Sequence, residues 1–166
     1  MPKSFEVSVH SPTSVDEVCA ALAQEAYWQA RFVEFNTDTR LDVLTVTDGV
    51  INIVTTQDLR SDTMPAFLAK IYPGNLAVRT TEVWCPMGDG TVHGELDIDV
   101  IGAPGAGRGQ AVMAGHEKGS QLHFTGTVEI RVPLVGGRIE KYVCDEFTHH
   151  IPDIQRFTTE WIADHG

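Results

Sequence analysis

The sequence predicts an α+β fold, a seven-stranded antiparallel sheet curved around a long C-terminal helix, and three observations carry that prediction. The first is the segment "LDVLTVTDGVINIVTTQDLR", two β-branched runs on either side of Asp48-Gly49, the signature of a hairpin closed by a type I′ turn. The second is a set of strands in the second half with one dry and one wet face, the pattern of an antiparallel sheet covered on one side only. The third is the last 34 residues, "PLVGGRIEKYVCDEFTHHIPDIQRFTTEWIADHG". Placed at 100° steps, Ile139, Val143, Phe147, His150, Ile154, Phe157 and Trp161 fall within about 80° of one another, while Lys141, Asp145, Arg156, Thr159 and Glu160 lie opposite. A stripe that long must be buried, and the concave sheet face is the only apolar surface large enough to bury it.

The elements follow in order. Phe5, Val7 and Val9 alternate with Glu6, Ser8 and His10, which makes a first, half-buried strand. In "SPTSVDEVCAAL", Ser14 (or Thr13) is the N-cap, Glu17 completes a capping box, and Val15, Val18, Cys19 and Leu22 have helical spacing. A second short helix is expected around Ala26 to Phe32, before the hairpin. After it, Pro65 and Pro73-Gly74 frame a short helix that puts Phe67, Leu68 and Ile71 on one face. Four strands are read from Leu76 onward, separated by "MGDG", "GAPGAGRG" and "EKGS". In the fifth strand Val92, Gly94, Leu96, Ile98 and Val100 form the dry face; in the seventh, Leu122, Phe124, Gly126, Val128 and Ile130 do. The whole chain, 1–166, is expected to form one domain, with no internal repeat or linker.

Composition excludes several functions. Lys plus Arg is 12 against 23 for Asp plus Glu, a formal charge of −11, which repels a phosphate backbone or an anionic membrane surface. "MPKSFEVSVH" lacks a basic stretch followed by an apolar h-region, and no run reaches the ~18 apolar residues of a membrane span. The expectation is a soluble cytoplasmic protein without nucleic-acid partner or stable membrane insertion. Cys19, Cys85 and Cys144 are odd in number, widely spaced and outside any CxxC, which argues against a disulfide framework and against structural zinc.

Catalytic motifs are missing: there is no GxSxG, no HExxH and no P-loop. The glycines of "GAPGAGRG" lead into a strand-like segment rather than a helix, so no helix N-terminus stands ready for a pyrophosphate, and the stretch reads as a flexible connection. His149 and His150 point about 100° apart on a helix and cannot share a metal as an i, i+4 pair does. His149 falls on the charged side. His150 falls inside the apolar stripe, where its imidazole needs a partner: either a backbone carbonyl, such as that of Thr148 freed by Pro152, or the head group of a ligand. Pro152 is also expected to bend the helix. His93 and Glu95 alternate away from the dry face; His116 is a further acid/base candidate. Glu82 shares a strand face with Trp84; if the indole points inward the carboxylate comes with it, needing a partner such as Arg79 or Tyr142. No catalytic residue, metal ligand or cofactor is assigned.

The element order, with "VGGRIEKYV" leading into the last helix, resembles the START-like (SRPBCC) superfamily, which includes the birch-pollen-allergen-like helix-grip proteins, and within it an uncharacterised branch known as a domain of unknown function. The resemblance implies an apolar cavity between sheet and helix. The residues expected to line it are Phe67, Leu68, Ile71, Trp84, Leu96, Ile98, Phe124, Val128, Val143, Phe147, His150 and Ile154. The implied function is non-covalent binding or transport of a small hydrophobic or amphipathic molecule, a lipid, polyketide or isoprenoid. Two alternatives stand beside it: a filled-core interaction module, and a cyclase- or hydrolase-type enzyme, which would need several inward polar groups where only His150 is a good candidate. A homodimer is left open.

Overall fold

The structure is a computed structural model that describes residues 2–59, 66–71 and 76–165; the side chains of Leu68 and Ile71, and the framing residues Pro65 and Pro73-Gly74, lie outside the described residues. Strand β1 (Lys3–Ser11) is followed by helices α1 (Val15–Leu22) and α2 (Glu25–Glu34). Then come β2 (Thr39–Thr47), β3 (Val50–Leu59), the short α3 (Ala66–Ile71), β4 (Leu76–Pro86), β5 (Val92–Ile101), β6 (Gly105–His116), β7 (Gly119–Ile130) and α4 (Gly136–His165). The seven strands form one antiparallel sheet in the order β1-β7-β6-β5-β4-β3-β2, the α+β arrangement read from the sequence.

Local chemistry accounts for the boundaries. Ser14 and Glu17 make the capping box, with Ser14 Oγ accepting from Glu17 N at 3.1 Å and Glu17 Oε1 accepting from Ser14 N at 3.1 Å. Asp48 and Gly49 both take positive φ, 53° and 81°, as a two-residue hairpin turn of the right twist requires. Along β5 and β7 the apolar residues face inward and His93, Glu95 and Asp97 face outward.

The glycine-rich stretch is a correction: β6 begins at Gly105, so three of its glycines are strand residues rather than a flexible connection. Gly109 pairs with Leu96 on one side and Gly126 on the other. A Cβ on Gly109 would sit 2.6 Å from the Phe124 ring, and one on Gly126 would sit 2.5 Å from the Phe5 ring. Aromatic rings from neighbouring strands fill the space those side chains would take, which is why a low-propensity residue sits mid-strand.

The "GGRIE" motif docks α4 onto the end of β7. Any side chain at Gly136 would strike the Ile130 carbonyl oxygen, 2.5 Å from its Cβ position. Glu140 is fully buried, and its Oε2 accepts a hydrogen bond from Ile130 N at 2.9 Å. Lys3 Nζ donates to the Gly137 carbonyl from the first strand, also at 2.9 Å. The helix then runs without interruption through Pro152.

Helix α4 is rotated from the stripe read in the sequence. Its buried residues are Gly136, Ile139, Glu140, Cys144, Ile151, Thr158, Trp161 and Ile162, whereas Val143, Phe147, His150, Ile154 and Phe157 are half-buried. The buried line is centred roughly 60° from the apolar stripe on the helical wheel. Two polar residues lie on the buried side and take part in tertiary hydrogen bonds: Glu140, whose Oε2 bonds Ile130 N while Oε1 has no partner among the described residues, and Thr158, whose hydroxyl bonds the Tyr27 hydroxyl at 2.6 Å. The half-buried side of the stripe is left facing open space.

Candidate functional site

That space is a set of three adjoining chambers between the inner sheet face and helices α2 and α4. The largest, about 260 Å³, is bounded by β4, β5, β6, β7 and α4; apart from Gln57 its walls are apolar, among them Val78, Ile98, Val128, Val143 and Phe147. The second, about 200 Å³, shares Gln57, Val78, Ile98 and Phe147 with the first and extends to Trp28, Arg31, Phe35 and Glu82. The third, about 80 Å³, shares Arg31, Glu82 and Leu96 with the second and ends against Trp84, Phe124 and Ile154. Phe147, which borders the two larger chambers, is held by ring stacking on Phe5 at 5.3 Å.

Of the residues expected to line a cavity, Trp84, Leu96, Ile98, Phe124, Val128, Val143, Phe147 and Ile154 stand on these walls. Phe67 does not: it is half-buried on α3, in edge contact with Tyr142 and under the Arg138 guanidinium. Leu68 and Ile71 fall outside the described side chains. His150 is not among the residues that border these three chambers. It sits beside the cavity rather than in its wall, half-buried with its ring edge-on to Phe35 at 4.8 Å. Burial, then the Arg31 charge, hold its imidazole below the usual histidine pKa, with Asp153 and Glu146 pulling weakly the other way. The backbone-carbonyl bond considered for His150 is made by its exposed neighbour, His149 Nδ1 meeting the Asp145 carbonyl at 2.7 Å.

The polar centre of the cavity is Glu82. Its side chain does follow Trp84 inward; both are 7% exposed. The indole Nε1–H donates to Glu82 Oε1 at 3.1 Å. Arg79 is exposed on the other face of β4, and Tyr142 packs on Phe67, so neither partners the carboxyl as the sequence suggested. The cation that acts on it comes from α2: Arg31, whose guanidinium lies 4.7 Å above the Trp28 ring. Burial pushes the Glu82 carboxyl well up from the normal carboxylate range, and the Arg31 charge and the Trp84 hydrogen bond only partly offset it. Arg31 was not legible because nothing in "EAYWQARFVE" distinguishes one helical arginine from a solvated one. Thr55, Gln57, Thr80, Gln155 and Thr158 join the walls as further polar groups, so His150 is not the sole inward candidate. Among the described residues no helix is long and apolar enough to cross a membrane.

Comparison with known proteins agrees with this architecture. Residues 6–162 match the family model described as Protein of unknown function (DUF2505). The uncharacterized protein Rv0481c of Mycobacterium tuberculosis (strain H37Rv) is 32% identical over 176 residues, covering 99% of each chain. Among solved structures, TTHA0849 from Thermus thermophilus superposes with a TM-score of 0.63 at 12% identity over 99% of both chains. Ara h 8.0201 does so at 0.55 and 8% identity, again over 99% of both. The di-domain ARO/CYC protein BexL gives 0.61 and 14% identity over 96% of this chain and 49% of its own. The chain belongs to the DUF2505 family, and its fold is the helix-grip arrangement of these neighbours.

Proposed function

We propose that this member of the DUF2505 family binds a small hydrophobic or amphipathic molecule, of the lipid, polyketide or isoprenoid class, without covalent chemistry. The observation that carries the reading is the pair of adjoining chambers, about 260 and 200 Å³, between the dry sheet face and helices α2 and α4. Together they are of the order of a small-ligand site, mostly apolar with a few convergent polar groups. The chambers bordering Phe147 favour this reading over the filled-core interaction module. The fold shared with Ara h 8.0201 and with the ARO/CYC protein BexL supports placing the chain in the START-like superfamily, and a cytoplasmic location goes with the same proposal.

Uptake of an apolar fluorescent dye tests this directly. The native protein takes up dye with a defined stoichiometry, and a lipid extract competes it off. Leu96→Trp adds bulk to the wall shared by the two smaller chambers. It weakens dye binding more than folding, although overpacking costs about 1–3 kcal/mol of stability. No dye uptake by the native protein, or unchanged uptake by the variant, would sink the proposal.

A further inference from the structure

Arg31 and Glu82 border both of the smaller chambers, so they stand where those chambers meet. Among the described residues, each has a donor without an acceptor. A guanidinium carries only N–H donors, and the contact Arg31 makes is with the face of Trp28. Glu82 is more than nine-tenths buried, and Oε1 is taken by the Trp84 indole. Among the described residues, Oε2 has no hydrogen-bond partner and no direct ion pair joins the two side chains, although the Arg31 charge reaches Glu82. Burial favours the neutral carboxyl, whose proton on Oε2 is then a second donor beside the guanidinium. The chamber around them is walled by Leu96, Ile98 and Phe147 together with Thr55, Gln57 and Thr80, and among the described residues neither donor has an acceptor; an acceptor from outside the chain would satisfy both.

We propose that the ligand of this cavity ends in a carboxylate, held between the Arg31 guanidinium and the Glu82 carboxyl, with its apolar remainder passing Phe147 into the large chamber. This rests on the binding reading above and names its ligand class. A carboxylate matches the fork of an arginine with two parallel hydrogen bonds and keeps a lone pair for Glu82. A hydroxyl satisfies one donor at most, and an amine is repelled by Arg31. The polarity gradient runs the same way: the far chamber, lined by Leu76, Val100, Val128 and Ile139, offers an extended chain nothing to bond except Gln57.

The test is displacement of the bound dye by an acid, a primary alcohol and a methyl ester that share one saturated chain, each below its micelle concentration. The acid displaces dye at about a tenfold lower concentration than the alcohol. Glu82→Gln keeps an acceptor for the Trp84 indole and a donor for the ligand, so the acid's advantage survives in it. Arg31→Leu removes that advantage; should this variant not fold, Arg31→Lys, which keeps charge but loses the fork, narrows the acid-to-alcohol ratio several-fold. An alcohol that binds as well as the acid, an advantage lost in Glu82→Gln, or one untouched by both Arg31 variants overturns the assignment while leaving the binding function standing. A native protein that takes up no dye overturns both.

Discussion

The two ends of the interior are built on opposite principles. Where α1 and α2 meet the C-terminal half of α4, aromatic rings fill the space: Tyr27, Trp28 and Trp161 are 0%, 1% and 6% exposed, and Tyr27 contacts both indoles edge-on at 5.4 Å. Tyr27 Oη bonds the Thr158 hydroxyl and Trp28 Nε1 donates to the Leu22 carbonyl at 2.8 Å. Where β4 to β7 meet the N-terminal half of α4, Gly105, Ala106, Gly107 and four valines stand among the aliphatic residues of the walls, Phe147 is the one aromatic ring, and about 260 Å³ stays open. Large rings against small side chains, on one continuous sheet and one continuous helix, make one end a rigid clasp and the other a container. Glu82 sits on the boundary, close enough to the clasp to be dehydrated and open enough to the chambers to meet a ligand.

That contrast can be broken by mutation. The largest effect is expected at the clasp: Trp161→Ala removes a buried indole that touches Tyr27 and should lower the unfolding free energy by about 3–5 kcal/mol in a urea titration. A loss below about 1 kcal/mol would mean that this end is not the stabilising one. Next comes a matched pair on β6. Gly109→Ala drives a Cβ into Phe124 and should cost about 1–3 kcal/mol. Gly107→Ala meets nothing closer than 3.6 Å and should instead stabilise by about 0.5 kcal/mol, while reducing dye uptake because its methyl enters the large chamber. Equal costs at the two glycines would erase the distinction between filled and open regions.

The boundary residue yields a pH dependence. The folded protein holds the Glu82 proton more tightly than the unfolded chain does, so above the unfolded pKa stability falls as pH rises toward the folded value. Glu82→Gln removes that loss. It should raise stability at neutral pH by on the order of 1 kcal/mol, and the gain should vanish below about pH 4. Melting temperatures of the two proteins across that range check it, and a variant less stable at neutral pH would show that the ionised carboxylate is held favourably after all.

Much of this was readable from the chain alone, for a physical reason. Element order, the Asp48-Gly49 turn, the Ser14 capping box and the dry faces of β5 and β7 depend on side-chain periodicity and on bonds between residues two to four apart. Eight of the twelve expected lining residues are on the walls because strand alternation and helical spacing send them inward wherever the sheet closes. What the tertiary structure decided depends on residues far apart in sequence. The rotation of α4 goes with Tyr27 bonding Thr158 and Ile130 bonding Glu140, which bring polar residues into the interior. The glycines of β6 are strand residues because the rings of Phe5 and Phe124 occupy their side-chain space. Arg31 and Glu82 come to border the same chambers from α2 and β4, which are far apart in sequence. An empty volume is a difference between what many distant residues enclose and what they fill, so no local pattern encodes it.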